Sequence, residues 1–317
     1  MSSKPGSTSS YPRITKRSIQ LALGGLWLLD GALQLQPQMF TRSFATQVIA
    51  PAAQGQPSVV GGPMTLGIHI ILLQPALFNV LFALIQLALG VLILWRPTVK
   101  VGLLASVAWS LVVWYGGEGL GGLLTGNASL LMGAPGAAIL YAILALAVLP
   151  AHQDNQHPGT QRPAAWLPLV WAGLWVGGAI AQLLPGQNRT SGLATMISGM
   201  GDGAPSWLAA TDTHIGNALQ GQGWWVIGVL VAAPALIGLL ALVPGRMRLV
   251  AVSAGVILSL GFWVVGQNLG GYYTGLATDP NAAPLFILMG VALSGCLPLT
   301  LKPLWQNTTR GLSELLV

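Results

Sequence analysis

Residues 117–126 read GEGLGGLLTG, and residues 266–275 read GQNLGGYYTG. Six of the ten positions are identical at a constant offset of 149, which makes independent origin of the two windows improbable. Working outward, the same offset brings Pro135 onto Pro284. Upstream, Gly25-Leu26-Trp27 and Gln34-Leu35-Gln36-Pro37 match Gly173-Leu174-Trp175 and Gln182-Leu183-Leu184-Pro185. Gly55-Gln56-Pro57-Ser58 likewise matches Gly203-Ala204-Pro205-Ser206. The chain therefore reads as a tandem duplication.

The duplicated unit is built for lipid. Only 6% of the 317 residues are charged and 53% are hydrophobic, whereas a soluble domain carries roughly 25% charge. Apolar runs fall at 19–37, 76–95, 101–115, 137–150, 165–185, 224–244, 249–265 and 285–298, with a further piece at 66–73 that reads as a tilted extension or an interfacial segment. They do not alternate, which suits helices rather than barrel strands. The sequence thus predicts an all-α integral membrane protein of about eight transmembrane helices. These form two tandem four-helix repeats, whose even span count gives a pseudo-two-fold axis along the membrane normal. The predicted divisions are a tail at 1–18, a first repeat at 19–150, a linker at 151–163, a second repeat at 164–300 and a tail at 301–317. The N-terminal basic stretch lacks an A-x-A-like cleavage site, so 19–37 reads as a retained span.

Eight spans put Lys4, Arg13, Lys16, Arg17, Arg96, Lys100, Arg162, Arg246, Arg248, Lys302 and Arg310 on one side, and only Arg42 and Arg189 on the other. The positive-inside rule makes the first side cytoplasmic, with both termini. The long connections at 38–67 and 186–223, rich in Gly, Pro, Ser and Gln, then face outward, and connections of that length are often functional. The net charge of +6 reports this orientation and gives no sign of nucleic acid. One cysteine, Cys296, rules out an intramolecular disulfide and reads as a small buried hydrophobe. His152 and His157 read as solvated linker residues.

Polar groups inside apolar runs are the candidate site. Asp30 lies mid-span, opposite Gly178 of the second repeat, and Glu118 lies in the glycine pattern, opposite Gln267. Ionisable residues at such places mark function or interspan hydrogen bonding. The spacing G-x-x-x-G-G-x-x-x-G clears a helix face, so Gly121 and Gly270 are predicted either to pack and end helices or to wall a ligand cavity. His69 and His214 occupy corresponding places ahead of the second and sixth spans and are candidate metal donors, imidazole being a common ligand for haem, copper or zinc. Methionines on the same side suit copper weakly, and no M-x-M or H-x-H spacing occurs.

The opening run Ser18-IQLALGGLWLLDGALQLQ resembles the first span of the DoxX/DoxD-like membrane family. That resemblance, confined to the first span and the four-span unit, implies a redox-associated role in a bacterial plasma membrane. It assigns no site residue. Three functions are then open: a redox-associated subunit holding a quinone, haem or copper near the outer face; a transporter or channel with its path between the repeats; and a non-catalytic subunit that assembles with partner chains in the bilayer.

Overall fold

The computed structural model describes residues 14–150, 164–201, 203–222 and 224–295, and the predicted linker at 151–163, the tail at 301–317, most of the tail at 1–18, His152, His157 and Cys296 lie outside them. Among the described residues there is no strand. The helices are α1 (Lys16–Leu33), α2 (Ala50–Ala53), α3 (Ser58–Leu73), α4 (Pro75–Leu94), α5 (Val99–Gly116) and α6 (Ala137–Ala147) in the first half. The second half holds α7 (Leu167–Ala181), α8 (Thr190–Met200), α9 (Ser206–Leu219), α10 (Trp225–Leu240), α11 (Arg246–Val265) and α12 (Ala282–Gly295).

Each of the eight apolar runs contains a helix. Three segments, Pro75–Leu94, Arg96–Gly116 and Arg246–Thr274, are long and apolar enough to cross a membrane. Of the others, α1 has 18 residues but carries Lys16, Arg17 and Asp30, and the rest are shorter. At 1.5 Å per residue α6 reaches about 16 Å, against a hydrocarbon core of about 30 Å. The chain before α6 is irregular, which is tolerable at depth only where protein covers it. Ala128, Ser129, Leu130 and Leu131 there are all buried.

In the first half α1 packs on α4, α4 on α5, α5 on α6, and α6 back on α1; in the second, α7 packs on α10, α10 on α11, α11 on α12, and α12 back on α7. The crossings are close because small residues meet. A Cβ on Gly90 would stand 2.9 Å from the Gly24 carbonyl, and one on Gly238 would stand 2.9 Å from the Ala172 carbonyl. The halves join through α6 against α12. Trp27, Tyr141, Trp171, Trp175 and Phe286 all belong to one continuous buried core.

Basic side chains close one end of the bundle. The Lys16 Nζ donates to the Leu149 carbonyl (3.2 Å), Arg17 to the Ile93 (3.1 Å) and Leu94 carbonyls, and Arg248 Nε to the Ala241 carbonyl (2.8 Å). Each occupies carbonyls at a helix C-terminus, where cations are favoured.

The opposite end corrects the expectation of long irregular connections. Residues 38–67 form a π-helical turn (Phe44–Ile49), α2 and most of α3, and residues 186–223 form α8 and α9. Their Gly and Pro content hides enough buried apolar residues to hold helices against the bundle: Phe44, Met64 and Ile68 in one, Leu193, Ile197 and Leu208 in the other. The piece at 66–73 is the end of α3, separated from α4 at Gln74, so it is a distinct helix and not an extension.

Candidate functional site

The glycine pattern lies just past the helices. The α5 helix ends at Gly116 and the next four residues after Glu118, namely Gly119, Leu120, Gly121 and Gly122, all take positive φ of 55° to 72°. Asn268, Leu269, Gly270 and Gly271 repeat that left-handed turn with φ of 50° to 74°. Left-handed backbone favours glycine. At Gly121 a side chain would also run into the Pro135 carbonyl, and at Gly270 a Cβ would come within 3.0 Å of the Pro280 backbone. These glycines therefore end helices and admit a second backbone, and Gly121 also lines a small cavity.

The turn aims a polar side chain at the next helix. Glu118 Oε1 accepts the Ala138 N–H (3.0 Å) in the first turn of α6, and Gln267 Oε1 accepts the Ala283 N–H (2.9 Å) in the first turn of α12. Beside them, Trp114 Nε1 donates to the Pro135 carbonyl (2.7 Å) and Trp263 Nε1 to the Pro280 carbonyl (2.9 Å). Pro280, and not the Pro284 picked out by the constant offset, thus holds the place of Pro135. The first-half loop between the turn and the helix is four residues longer.

A cavity of about 470 Å³ lies among α1, α4, α5 and α6. Trp27, Phe44, Phe82 and Trp109 line it, with Asp30, Gln34, Gln86 and Tyr141 as its polar positions. Glu118 stands at one end, and Thr278 and Asp279 reach in from the second half. Three of the chain's seven acidic residues therefore meet in one mostly apolar space. A smaller cavity of about 230 Å³ adjoins it, also bounded by Glu118 and Asp279, together with Gly121, Gly133 and Asn281.

The hydrogen bonding of the large cavity is incomplete. Asp30 Oδ1, Gln34 Oε1, Gln86 Oε1 and Glu118 Oε2 are buried without a close partner, as is Trp109 Nε1, while the Tyr141 hydroxyl is directed at Asp30. Asp30 is 2% exposed, Gln34 3% and Gln86 6%. A buried polar atom left unpaired costs about 1–3 kcal/mol, so four orphaned acceptors around one void describe a site whose partners come from elsewhere. Burial, then the like charge of Asp279, pushes the Glu118 carboxyl up to about 8, against the opposing pull of the Ala138 and Ala137 N–H groups. Burial likewise raises Asp279, although the Thr278 hydroxyl and the Asn281 N–H hold its oxygens.

The corresponding volume of the second half is filled. Gly178 stands where Asp30 would, and the Leu130 side chain presses onto it; Leu131 presses onto Gly266, the counterpart of Gly117. Phe286 replaces Tyr141 and packs on Trp175 at 5.6 Å, as Tyr141 packs on Trp27 at 4.4 Å. Pro234 falls at the Gln86 position. Gln182, the counterpart of Gln34, donates to the Gln187 carbonyl (2.6 Å), and Gln267 Nε2 reaches the Leu130 carbonyl (3.4 Å).

Of the residues picked out in the sequence, Asp30 and Glu118 meet in the large cavity and Gly121 borders the small one. Gln267 and Gly270 belong to the filled half. His69 on α3 and His214 on α9 are exposed and line neither cavity. Among the described residues no group of three or more His, Cys, Asp or Glu could hold a metal ion. Sequence reasoning passed over Gln34, Gln86, Tyr141 and Asp279. The first two were visible as polar residues within or at the end of apolar runs, while Asp279 acts on the half it does not belong to. It also passed over Asp212 on α9, fully buried with both oxygens unpartnered. No protein-family model, no curated protein and no solved structure matches this chain.

Proposed function

We propose that this is a multi-pass protein of a bacterial plasma membrane, with eight spans in two tandem repeats about a pseudo-two-fold axis and both termini cytoplasmic. On this reading its first repeat binds a small ligand for transport, with Asp30 and Glu118 as the recognition groups. The recurring helix neighbours, left-handed turns and Trp and Glu/Gln hydrogen bonds support the duplication. The basic side chains gathered on helix C-termini at one end support the orientation. The short helices belong to this reading as spans completed by irregular chain buried in protein.

The observation that carries the ligand site is the unfilled cavity with its orphaned acceptors, set against a filled counterpart. The volume lies within the usual range for small-molecule sites, roughly 300–1,000 Å³, and the mix of apolar wall and few polar groups is typical of them. The resemblance to DoxX/DoxD-like proteins sustains a second reading, in which the occupant is a quinone-type ring. What favours it is the Glu118 carboxyl, which near pH 8 can exchange the proton such chemistry needs. The exposed positions of His69 and His214 give haem or copper no comparable support.

The site is tested by placing a cysteine at Val113, which lines the cavity, in a Cys296→Ser background. A small methanethiosulfonate reagent should label it in the folded, detergent-purified protein, whereas a cysteine at Leu130 should stay unlabelled. Equal protection of both positions would remove the cavity and this function with it.

A further inference from the structure

We infer that the cavity's occupant is a small organic cation, a protonated amine on an apolar body, held by Asp30 and exchanged for a proton at Glu118. The inference rests on the ligand-site reading above and names the substrate class of that site.

The first argument is a balance of donors and acceptors. Four orphaned oxygens face the void or its edge, at Asp30, Gln34, Gln86 and Glu118, against one orphaned donor, Trp109 Nε1, the Tyr141 hydroxyl being directed at Asp30. A ligand that mainly accepts, such as a carbonyl compound, would leave most of these unmet. An ammonium offers up to three N–H donors and no acceptor.

The second is charge. Asp30, Glu118 and Asp279 line the space, and no Lys, Arg or His among the described residues does. Carboxylates in an apolar bundle must be protonated or paired, since isolated charge there is strongly disfavoured. An anionic ligand would add to the cost, and a cation removes it.

The third is the shape of the wall. Trp27, Phe82 and Trp109 are part of its lining, and aromatic rings attract cations and apolar bodies alike. A bare metal ion would not use about 470 Å³ of mostly apolar volume.

The fourth is independent of these. In the filled half, Asp30, Gln86, Glu118 and Tyr141 are replaced by Gly178, Pro234, Gln267 and Phe286. Both carboxyl groups, one amide and the phenol are lost together with the space for a ligand, while Gln34 is kept as Gln182, whose amide is bonded to the Gln187 carbonyl.

Proton exchange follows from what surrounds Glu118. Asp279 from the second-half loop, Asp30 from α1 and Tyr141 from α6 act on it or on one another, with Tyr272 next in the same group. All are acids or phenols. With Glu118 at about 8, an empty site at pH 7 holds a proton on it. An incoming R–NH3+ shifts Glu118 to the carboxylate, the O–H bond breaks, and H+ leaves, so the site's net charge is unchanged. A small cavity bordered by Asp279 and Asn281 adjoins the Glu118 carboxyl that gives up this proton.

The test uses the purified full chain in detergent micelles with primary amines from ethylamine to 4-phenylbutylamine. The uncharged isostere 4-phenylbutanol, the anion 4-phenylbutyrate and hydroquinone serve as comparison probes. Calorimetric titration at pH 7 in two buffers of different ionisation enthalpy should show saturable binding of the aryl amines with release of up to one proton. The release should fall to zero by about pH 9.5, with tighter binding on the way. The alcohol should bind at least tenfold more weakly and the carboxylate not at all. Asp30→Asn should weaken the amine at least tenfold. Glu118→Gln reproduces the bond that Gln267 already makes, so it should fold, and it should abolish the proton release and weaken amine binding less than Asp30→Asn does. Amine and alcohol binding equally, hydroquinone binding in preference, or proton release unaffected by Glu118→Gln would each overturn the cation while leaving the ligand site. No binding by any amine would overturn it too. If the Val113 cysteine also resists labelling, the site itself falls.

Discussion

The two halves of this molecule share their helix neighbours, their left-handed turns and the hydrogen bonds made at those turns, yet one encloses a cavity where the other is filled by Leu130 and Leu131. The difference comes from loops that cross between the halves. The longer first-half loop carries Leu130 and Leu131 onto Gly178 and Gly266, while the shorter second-half loop carries Thr278 and Asp279 into the first-half cavity. Each half is therefore completed by the other, one by apolar filler and one by a carboxyl. The scaffold is common to both copies, and the large cavity with Asp30 and Glu118 in its lining is found in the first only.

That comparison breaks most sharply at the turns. Gly121→Leu combines a left-handed φ of +61° with overlap onto the Pro135 carbonyl, and its expected cost exceeds about 4 kcal/mol, leaving little folded protein. Gly270→Leu has φ of +74° but 3.0 Å to the Pro280 backbone, so its expected cost is about 1–3 kcal/mol. Thermal denaturation in detergent orders the two. Equal losses would mean that the close backbone approach in the first half carries no energy of its own.

The next effect concerns the filler. Leu130 is 6% exposed, and Leu130→Ala removes the side chain that occupies the Asp30-equivalent space. The expected loss is about 2–4 kcal/mol, as for other buried leucines, read as a lower melting temperature. A loss under about 1 kcal/mol would mean that the second half closes without it and that the filled state is intrinsic to that half.

How much of this was legible beforehand depends on where a residue acts. The eight helices were legible because apolar runs report burial in lipid or core without reference to partners. The pairing of Glu118 with Gln267 was legible because the flanking glycines are required by a turn that both halves make. The pairing of Pro135 was not, because four extra residues in the first-half loop shift Pro280 away from the constant offset. The helices at 38–67 and 186–223 were hidden because Gly and Pro lower helix propensity while tertiary packing supplies the stability. Asp279 was illegible in a stronger sense. Nothing around it in the sequence says that its side chain completes a cavity built by residues about 140 to 250 positions earlier.

A smaller effect is read through pH. The Glu118 carboxyl rises from an ordinary 4.5 to about 8 in the folded chain, so between those values the folded state holds a proton that the unfolded state has lost. Stability contributed by this group is full below about 4.5, declines as pH rises towards 8, and is flat beyond. The slope is at most about 1.4 kcal/mol per pH unit. Glu118→Gln gives the first half the side chain of the second and should flatten the melting-temperature profile between pH 5 and 8. Asp279, raised in the same direction, leaves a residual slope of the same sign. An unchanged profile would show that Glu118 does not titrate across this window.

The smallest expected effect is at His69 and His214. Both sit at corresponding places before α4 and α10, which is why pairing them at a metal was attractive, and repeats about a normal-directed axis would bring them to equal depth. Depth alone is not convergence. Ile68 and Ile71 are buried while His69 is exposed, and Asp212 and Gly216 are buried while His214 is exposed, so each imidazole points away from its helix's packed face. Exposed side chains without buried partners change stability by about 0.5 kcal/mol or less when truncated. His69→Ala, His214→Ala and the double variant should therefore match the parent in melting temperature and in amine binding. Added copper or zinc should stabilise the parent no more than the variants. Stabilisation by either metal that disappears equally in both single variants would bring the histidines together after all. The axis between the halves would then hold a second site, and the second copy would not be merely structural.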